Sequence, residues 1–290
     1  MNLIVGSTGL LGGEICRLLC AQGSAVRALT REASDPGKVA RLGNLGAEVV
    51  RGDLKDPGSL DKACRDASAV ISTASSTVSR QAGDSIESVD QQGQLNLIEA
   101  AEMAGVKHFV LISFPGIALE FPLQAAKRAV EKRLQQSRMS WTILQPTCFM
   151  EVWLGPALGF DPAHGTAQIY GDGNGRTSWI SFLDVARFAV AALDNLRARN
   201  AVIKLGGPDA LSPLEVVRLA ERITGKTISV QHVPEDALRA QHAAATDSMQ
   251  KSFAALMLYY ARGDAIDVQE ALRILPVPHL KSVREYLQTS

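Results

Sequence analysis

The sequence predicts an α/β chain with a doubly wound parallel sheet, and three observations carry that reading. A short apolar strand at residues 3–5 runs into Gly6, Gly9 and Gly12 and then into a helical pattern. Strand-like and helix-like segments alternate from there through the first half of the chain. Of the 290 residues, 46% are hydrophobic and 21% charged, which is ample apolar material for one large core.

The first strand, Leu3-Ile4-Val5, ends at a turn whose glycine spacing has mechanical reasons. Gly6 permits the tight turn, Gly9 lets backbone approach a pyrophosphate, and Gly12 lets the helix pack closely on the sheet. Ser7, Thr8, Leu10 and Leu11 complete the loop, and the free N–H groups of the helix N-terminus face the phosphates. The plainer alternative is a strand-to-helix turn without a ligand. The second strand, at 25–29, ends where an acid about 20 residues after the glycines would hold a ribose 2′-hydroxyl. No acid stands there. Thr30 and Arg31 occupy the place and Lys38 follows, and a guanidinium suits a 2′-phosphate through paired hydrogen bonds. NADP(H) is therefore favoured over NAD(H), the competing reading being that Arg31 is a solvated charge beside Glu32.

Further strands are expected at 48–50, 69–72, 107–113 and 140–144, with helices between them. Alternation of this kind gives right-handed crossovers on both faces, a Rossmann sheet whose ligand lies at the carboxyl ends of the strands. Asp53-Leu54 follows the third strand, with Asp53 able to accept from an adenine amino group. Ser72-Thr73-Ala74-Ser75 follows the fourth and leaves room for a ribose. Ser113-Phe114-Pro115 follows the fifth, and Gln145-Pro146-Thr147-Cys148-Phe149 the sixth. A turn or a helix cap competes as the reading for each of these taken alone.

With 30 basic and 30 acidic residues the formal charge is zero, which points away from nucleic acid and from an anionic membrane as partners. The apolar start is short and broken by glycines, and no run approaches the roughly 18 residues of a membrane span, so a cytoplasmic protein is expected. Cys16, Cys20, Cys64 and Cys148 lack paired zinc spacing and read as packing residues, and no metal site is expected.

Several longer motifs stand in a specific order: GSTGLLGG at 6–13, VRALTR at 26–31, GDLKDPGSL at 52–60, AAEMAGVKHFVLIS at 100–113, the helix at 127–131, LQPTCFMEV at 144–152, and IYGDG followed by SWISFLDVA ending at 186. Together they resemble the NmrA-like group of atypical short-chain dehydrogenases/reductases, near isoflavone reductase-like and quinone reductase-like proteins, over most of the chain. The resemblance implies NADP(H) binding by Gly6 to Gly12, Arg31, Lys38, Asp53, Leu54, Thr73, Ala74, Ser75, Phe114, Lys127, Pro146, Thr147 and Phe149, with Phe149 near the nicotinamide.

One departure bears on mechanism. Short-chain dehydrogenases pair a tyrosine with a lysine four residues later, but Leu123 stands at that spacing before Lys127, and all four tyrosines lie beyond position 169. The resemblance implies that Lys127 serves near the nicotinamide ribose and the substrate, and a desolvated lysine can have its pKa lowered toward acid/base work. Lys127, aided by Ser113 or water, is the expected catalytic group, and its removal should cost turnover and little folding. An exposed helix charge is the competing reading of Lys127, and strand-end hydrogen bonding that of Ser113.

A dinucleotide domain at 1–150 and a substrate portion at 151–290 are expected, some late elements returning to the first. Phe149, Met150, Trp153 and His164 are candidate pocket residues for a flat aromatic or quinonoid substrate, His164 reading more simply as a solvated loop side chain. Asp184 reads as a helix N-terminal acid without a catalytic role. A strand at 202–205, a helix begun by residues 211–213 and a strand at 228–233 follow. Met249, Phe253, Met257 and Tyr260 form a helical stripe, read as core rather than lid, and residues 75–85 as an exposed loop over the cofactor.

Two functions fit: an NADPH-dependent oxidoreductase acting on a small quinonoid, azo or conjugated substrate, and a non-catalytic NADP(H) sensor that binds a protein partner. A homodimer stays open, because apolar faces for a dimer and for a core look alike in sequence.

Overall fold

The computed structural model describes residues 1–78 and 80–289. Twelve strands among them are β1 (Asn2–Val5), β2 (Val26–Thr30), β3 (Glu48–Arg51), β4 (Ala69–Ser72), β5 (His108–Ile112), β6 (Ser140–Pro146), β7 (Phe160–Asp161), β8 (Thr166–Tyr170), β9 (Thr177–Ser178), β10 (Ala201–Leu205), β11 (Ala210–Leu211) and β12 (Ser229–Val233). The α-helices are α1 (Leu10–Ala21), α2 (Pro36–Asn44), α3 (Pro57–Cys64), α4 (Gln94–Met103), α5 (Pro122–Gln135), α6 (Met150–Trp153), α7 (Phe182–Asp194), α8 (Pro213–Thr224), α9 (Glu235–Ala244), α10 (Ser248–Arg262), α11 (Val268–Ile274) and α12 (Val283–Thr289).

Seven strands form one parallel sheet in the order β10-β6-β5-β4-β1-β2-β3. The order reverses direction at β1, between β2 and β4, and this opens the crevice in which such sheets bind ligands. The alternation of side chains along β1 shows why the strands are apolar throughout. Leu3 and Val5 pack with Leu60, Leu97, Phe109 and Val130 on the face covered by α3, α4 and α5, while Ile4 packs with Ile15, Leu19, Phe188 and Ala189 on the face covered by α1 and α7. Both faces are buried, so neither carries a polar alternation.

Helix starts follow local chemistry. Asp35 and Asp56 cap α2 and α3 ahead of a proline, and Ser212 with Glu215 makes a capping box ahead of Pro213 in α8. The helix expected after residue 211 thus begins where its cap places it.

Tertiary pairing moved several expected boundaries. β6 runs two residues past the expected end at 144, because β10 docks alongside and pairs Gln145 with Lys204 and Pro146 with Leu205. The segment after α6, which holds the candidate pocket residue His164, folds into the β7–β8 hairpin, and β12 joins it as a third strand. On α10 the fully buried face is formed by Ser252, Ala254, Ala255, Leu258, Tyr260 and Ala261, whereas Met249, Phe253 and Met257 stay half-buried at its margins. Small side chains dominate that face, and of the large-residue stripe Tyr260 is buried while Met249 and Met257 pack half-buried against core side chains. All four cysteines are free thiols, with Cys16, Cys64 and Cys148 buried. Among the described residues no helix is long and apolar enough to cross a membrane.

Candidate active site

The turn after β1 is shaped for close backbone approach. Gly6 has φ +83°, and a Cβ there would lie 2.5 Å from Thr73 Oγ1 and 2.9 Å from the Ala74 nitrogen. A Cβ on Gly12 would stand 2.3 Å from the Gly6 carbonyl oxygen, so only glycine lets the helix meet the loop. Ser7 is buried and donates its hydroxyl to the Leu29 carbonyl at 2.7 Å, tying the loop to β2, and Thr73 donates to the Val5 carbonyl at 3.1 Å. Leu11 faces the core, while Gly9 and Leu10 are exposed and Thr8 half-buried at the rim. The first turn of α1 carries neither a side-chain cap nor an acid, which leaves its N–H groups for an anion. Uncapped N–H groups beside a glycine cradle fit a dinucleotide pyrophosphate.

At the outer end of the crevice, Arg31 Nη1 lies 2.5 Å from Asp84 Oδ2, and Lys55 Nζ 2.5 Å from Asp84 Oδ1. Asp53 Oδ1 accepts from the Lys55 backbone N–H at 2.8 Å, and its other oxygen stands 3.8 Å from Lys55 Nζ. Lys38 is exposed on α2, its backbone N–H engaged by the cap Asp35. Leu54 is buried against Gly93, so its side chain belongs to the core. After β4, Ser72 donates to Gln94 Oε1 at 2.8 Å and Gln94 donates onward to the Ala74 carbonyl at 3.0 Å, while Ser75 bonds Thr77. Of the 75–85 loop, residue 79 lies outside the described residues. The expectation of an exposed loop is corrected at Ser76, which is fully buried.

Lys127 is not an exposed helix charge. Its side chain is 6% exposed and its ammonium stands 3.3 Å from Asp90 Oδ1, itself 0% exposed. Ser76 donates both its N–H, at 3.0 Å, and its hydroxyl, at 2.6 Å, to the other Asp90 oxygen. Asp90 lies in a π-helical stretch, Ile86–Gly93, that leads into α4, a widened geometry frequent at functional sites. The expectation that losing Lys127 would spare the fold is corrected here: its removal strands a buried carboxylate.

Beside this pair, Ser113 is buried with its hydroxyl 3.4 Å from Arg128 Nη2. Arg128 also donates to the Phe114 carbonyl, lies 5.5 Å over the Phe114 ring, and pairs with Glu131 at 2.9 Å, to which Gln145 donates at 3.1 Å. After β6, Thr147 spends its hydroxyl on the Ser178 carbonyl, and Phe149 forms a bridge with Ile180. Pro146 ends the ladder with β10.

Two pocket expectations are corrected. Met150 is 0% exposed in the core between α6, β8 and α8 and presents no surface to a ligand. His164 is 82% exposed in the β7–β8 turn, bonded to Asp161 at 2.8 Å, at the far end of β8 from Tyr170. Trp153 stacks on Tyr260 with ring centroids 4.8 Å apart, in an aromatic group with Tyr170 and Trp179. A cavity of about 210 Å³ lies between the loop after β5 and the end of α10, lined by Gly116, Leu119, Ala255, Leu258, Tyr259 and Asp264. Tyr259 donates its hydroxyl to Asp264, and burial, together with Cys148 and Asp264 nearby, pushes the phenol above its ordinary range.

Sequence reasoning missed Asp90, Asp84, Lys55 and the Arg128–Glu131–Gln145 chain. A signal for the first was present: Asp90, Gln94, Leu97 and Ala101 share one helical stripe, and all four are buried, so a charge stood on an apolar face. Asp84 pairs with residues far away in sequence and had no such pattern.

The crevice at the switch point, the glycine turn and the uncapped helix define a Rossmann-type nucleotide-binding protein. The NmrA-like family matches residues 2–287, and the chain belongs to that family. It is 34% identical over 245 residues to the photosystem II assembly factor Ycf39 of Synechocystis sp., covering 82% of this chain and 72% of that one. It is 33% identical over 231 residues to the NAD(P)H azoreductase of Xenophilus azovorans, covering 79% and 75%. The NADPH-dependent quinone oxidoreductase QOR2 of Escherichia coli, solved with NADPH, has the same fold with a TM-score of 0.80 at 22% identity, covering 100% of this chain and 99% of that one.

Proposed function

We propose that this protein is an NADP(H)-dependent reductase of a small aromatic, quinonoid, azo or conjugated acceptor, with residues 1–150 holding the dinucleotide and 151–290 shaping the acceptor side. The observation that carries the reading is the buried Lys127–Asp90 pair at the carboxyl end of the sheet. Sealing two charges from water is costly and adds little to stability, so a pair kept there is accounted for by the chemistry it positions. The relatives named as an azoreductase and a quinone oxidoreductase support a reductase.

The reduced dinucleotide, when bound, supplies the hydride. Lys127 offers N–H donors and positive charge to negative charge developing on the acceptor. Asp90, held by Ser76, fixes the ammonium in one orientation. Ser113 and Arg128 hold the loop that carries Phe114, and Phe149 closes the apolar side. The cavity lined by Leu119, Leu258 and Tyr259 is the acceptor's place beyond them.

The test is NADPH oxidation by the purified protein over a panel of quinones, azo dyes and enones, with NADH in parallel. Lys127→Met made together with Asp90→Asn, which leaves no buried charge unmatched, is expected to lower turnover about 10²-fold, as loss of one preorganised donor does. NADPH binding without reduction of any acceptor would overturn the reductase.

A second reading, a non-catalytic NADP(H) sensor, is favoured by Leu123 at the position where a phenol acid would precede Lys127, and by the assembly-factor relative. It predicts a protein partner whose capture changes with the NADP⁺/NADPH ratio.

A further inference from the structure

Three side chains from three separate segments meet at the outer end of the crevice. Arg31 follows β2, Lys55 follows β3, and Asp84 lies in the segment after β4. One carboxylate holds one cation on each oxygen, both at 2.5 Å. The Asp84 side chain is 1% exposed, whereas Arg31 and Lys55 keep 26% and 29% of their side-chain surfaces open to water. Gln81 donates its backbone N–H to Asp84 at 2.8 Å. Burial opposes ionisation of Asp84, but Lys55, Gln81 and Arg31 together hold its carboxyl below the usual range.

Carboxylate and phosphate offer a guanidinium the same paired oxygen face. The Asp84 carboxylate alone balances one of the two cations, and Asp53, 3.8 Å from Lys55, is the second negative charge nearby. A phosphate monoester carries about −1.5 to −2 and has three strong acceptor oxygens, a better match for a cation pair than one carboxylate.

We propose that Asp84 holds the place of the cofactor's 2′-phosphate between Arg31 and Lys55, so that Lys55 is a second ligand of that phosphate and Asp84 sets the preference between NADP(H) and NAD(H). The inference rests on the dinucleotide-binding reading of the crevice. A 2′-phosphate must displace the carboxylate from both cations, and that competition lowers its affinity. A nucleotide with a bare 2′-hydroxyl gains nothing from the displacement.

The experiment is calorimetric titration of the full chain with 2′,5′-ADP and with 5′-AMP, using the wild type and the Asp84→Asn, Lys55→Met and Arg31→Met variants. Asp84→Asn is expected to tighten 2′,5′-ADP about tenfold, and Lys55→Met and Arg31→Met each to weaken it about tenfold, the scale of one charge-assisted hydrogen bond. Binding of 5′-AMP is expected to move less than about twofold in all three, since a bare 2′-hydroxyl makes no charge-assisted contact with either cation. Weaker or unchanged 2′,5′-ADP binding in Asp84→Asn, or unchanged binding in Lys55→Met, would overturn the assignment while 5′-AMP binding upheld the nucleotide site. Absence of binding by both nucleotides to the wild type would overturn the assignment and the nucleotide reading together.

Discussion

The two ends of the crevice hold the same contact in opposite surroundings. At the outer end, Asp84 bridges Arg31 and Lys55, cations more than a quarter open to water. At the inner end, Asp90 faces Lys127, and neither side chain is more than 6% exposed. Both carboxylates belong to the segment between β4 and α4. Burial decides what each pair can do. Cations that remain hydrated can pass from one anion to another at small cost, whereas a sealed cation cannot lose its partner without leaving a charge in a poor medium. The outer pair therefore suits recognition and the inner pair suits positioning.

The largest expected effect breaks the inner pair. Asp90→Ala should lower unfolding free energy by about 3–5 kcal/mol, the usual consequence of stranding a buried charge. The double variant Asp90→Asn with Lys127→Met should recover most of that loss, because no charge is left unmatched. Urea denaturation of the three proteins decides the matter, and a loss below about 1 kcal/mol for Asp90→Ala would erase the contrast with the outer end.

At two buried groups away from the crevice, burial is the largest influence on the charge. Asp184, fully buried in the first turn of α7, accepts from Arg187 and from the Lys281 N–H, yet burial raises its pKa from 3.8 to about 6. Its folded value lies above the unfolded one, so its contribution is present below about pH 4 and is lost as pH rises to about 6, on the order of 3 kcal/mol. His108, buried at the start of β5, has its pKa lowered from 6.5 to about 4 by burial and by Arg199. Its folded value lies below the unfolded one, so stability is lost as pH falls from 6.5 to about 4, again on the order of 3 kcal/mol. The slopes oppose each other. Melting temperatures of Asp184→Asn across pH 4–6.5 should fall on acidification, and those of His108→Gln should rise.

The smallest effect concerns the outer pair. Asp84→Asn should change unfolding free energy by less than about 1 kcal/mol, since its partners are hydrated when released. A loss of several kcal/mol would make the outer pair a fold-holding contact like the inner one.

The turn after β1 was legible because its shape rests on backbone. Gly6, Gly9 and Gly12 work through turn shape and close approach, and these need no partner distant in sequence. The alternating strands were legible for a related reason, since burial on both faces leaves runs such as Leu3-Ile4-Val5. Arg31 was visible as a cation, but its bond to Asp84, 53 residues on, was not. Met150 and His164 show the limit of composition. Both are residue types suited to a pocket, but Met150 is sealed in the core and His164 sits on a solvent-facing turn.

The alternation of strands and helices through residue 144, the nucleotide turn, the start of α8 and the absence of a tyrosine four residues before Lys127 were determined by the sequence alone, because each depends on neighbours a few residues apart. Tertiary structure decided which carboxylate meets which cation, which face of α10 is buried, where β6 ends, and how the cavity forms between the loop after β5 and the end of α10. These contacts join segments tens to more than a hundred residues apart, and burial, the quantity that separates an exchangeable ion pair from a fixed one, exists only once those segments have packed together.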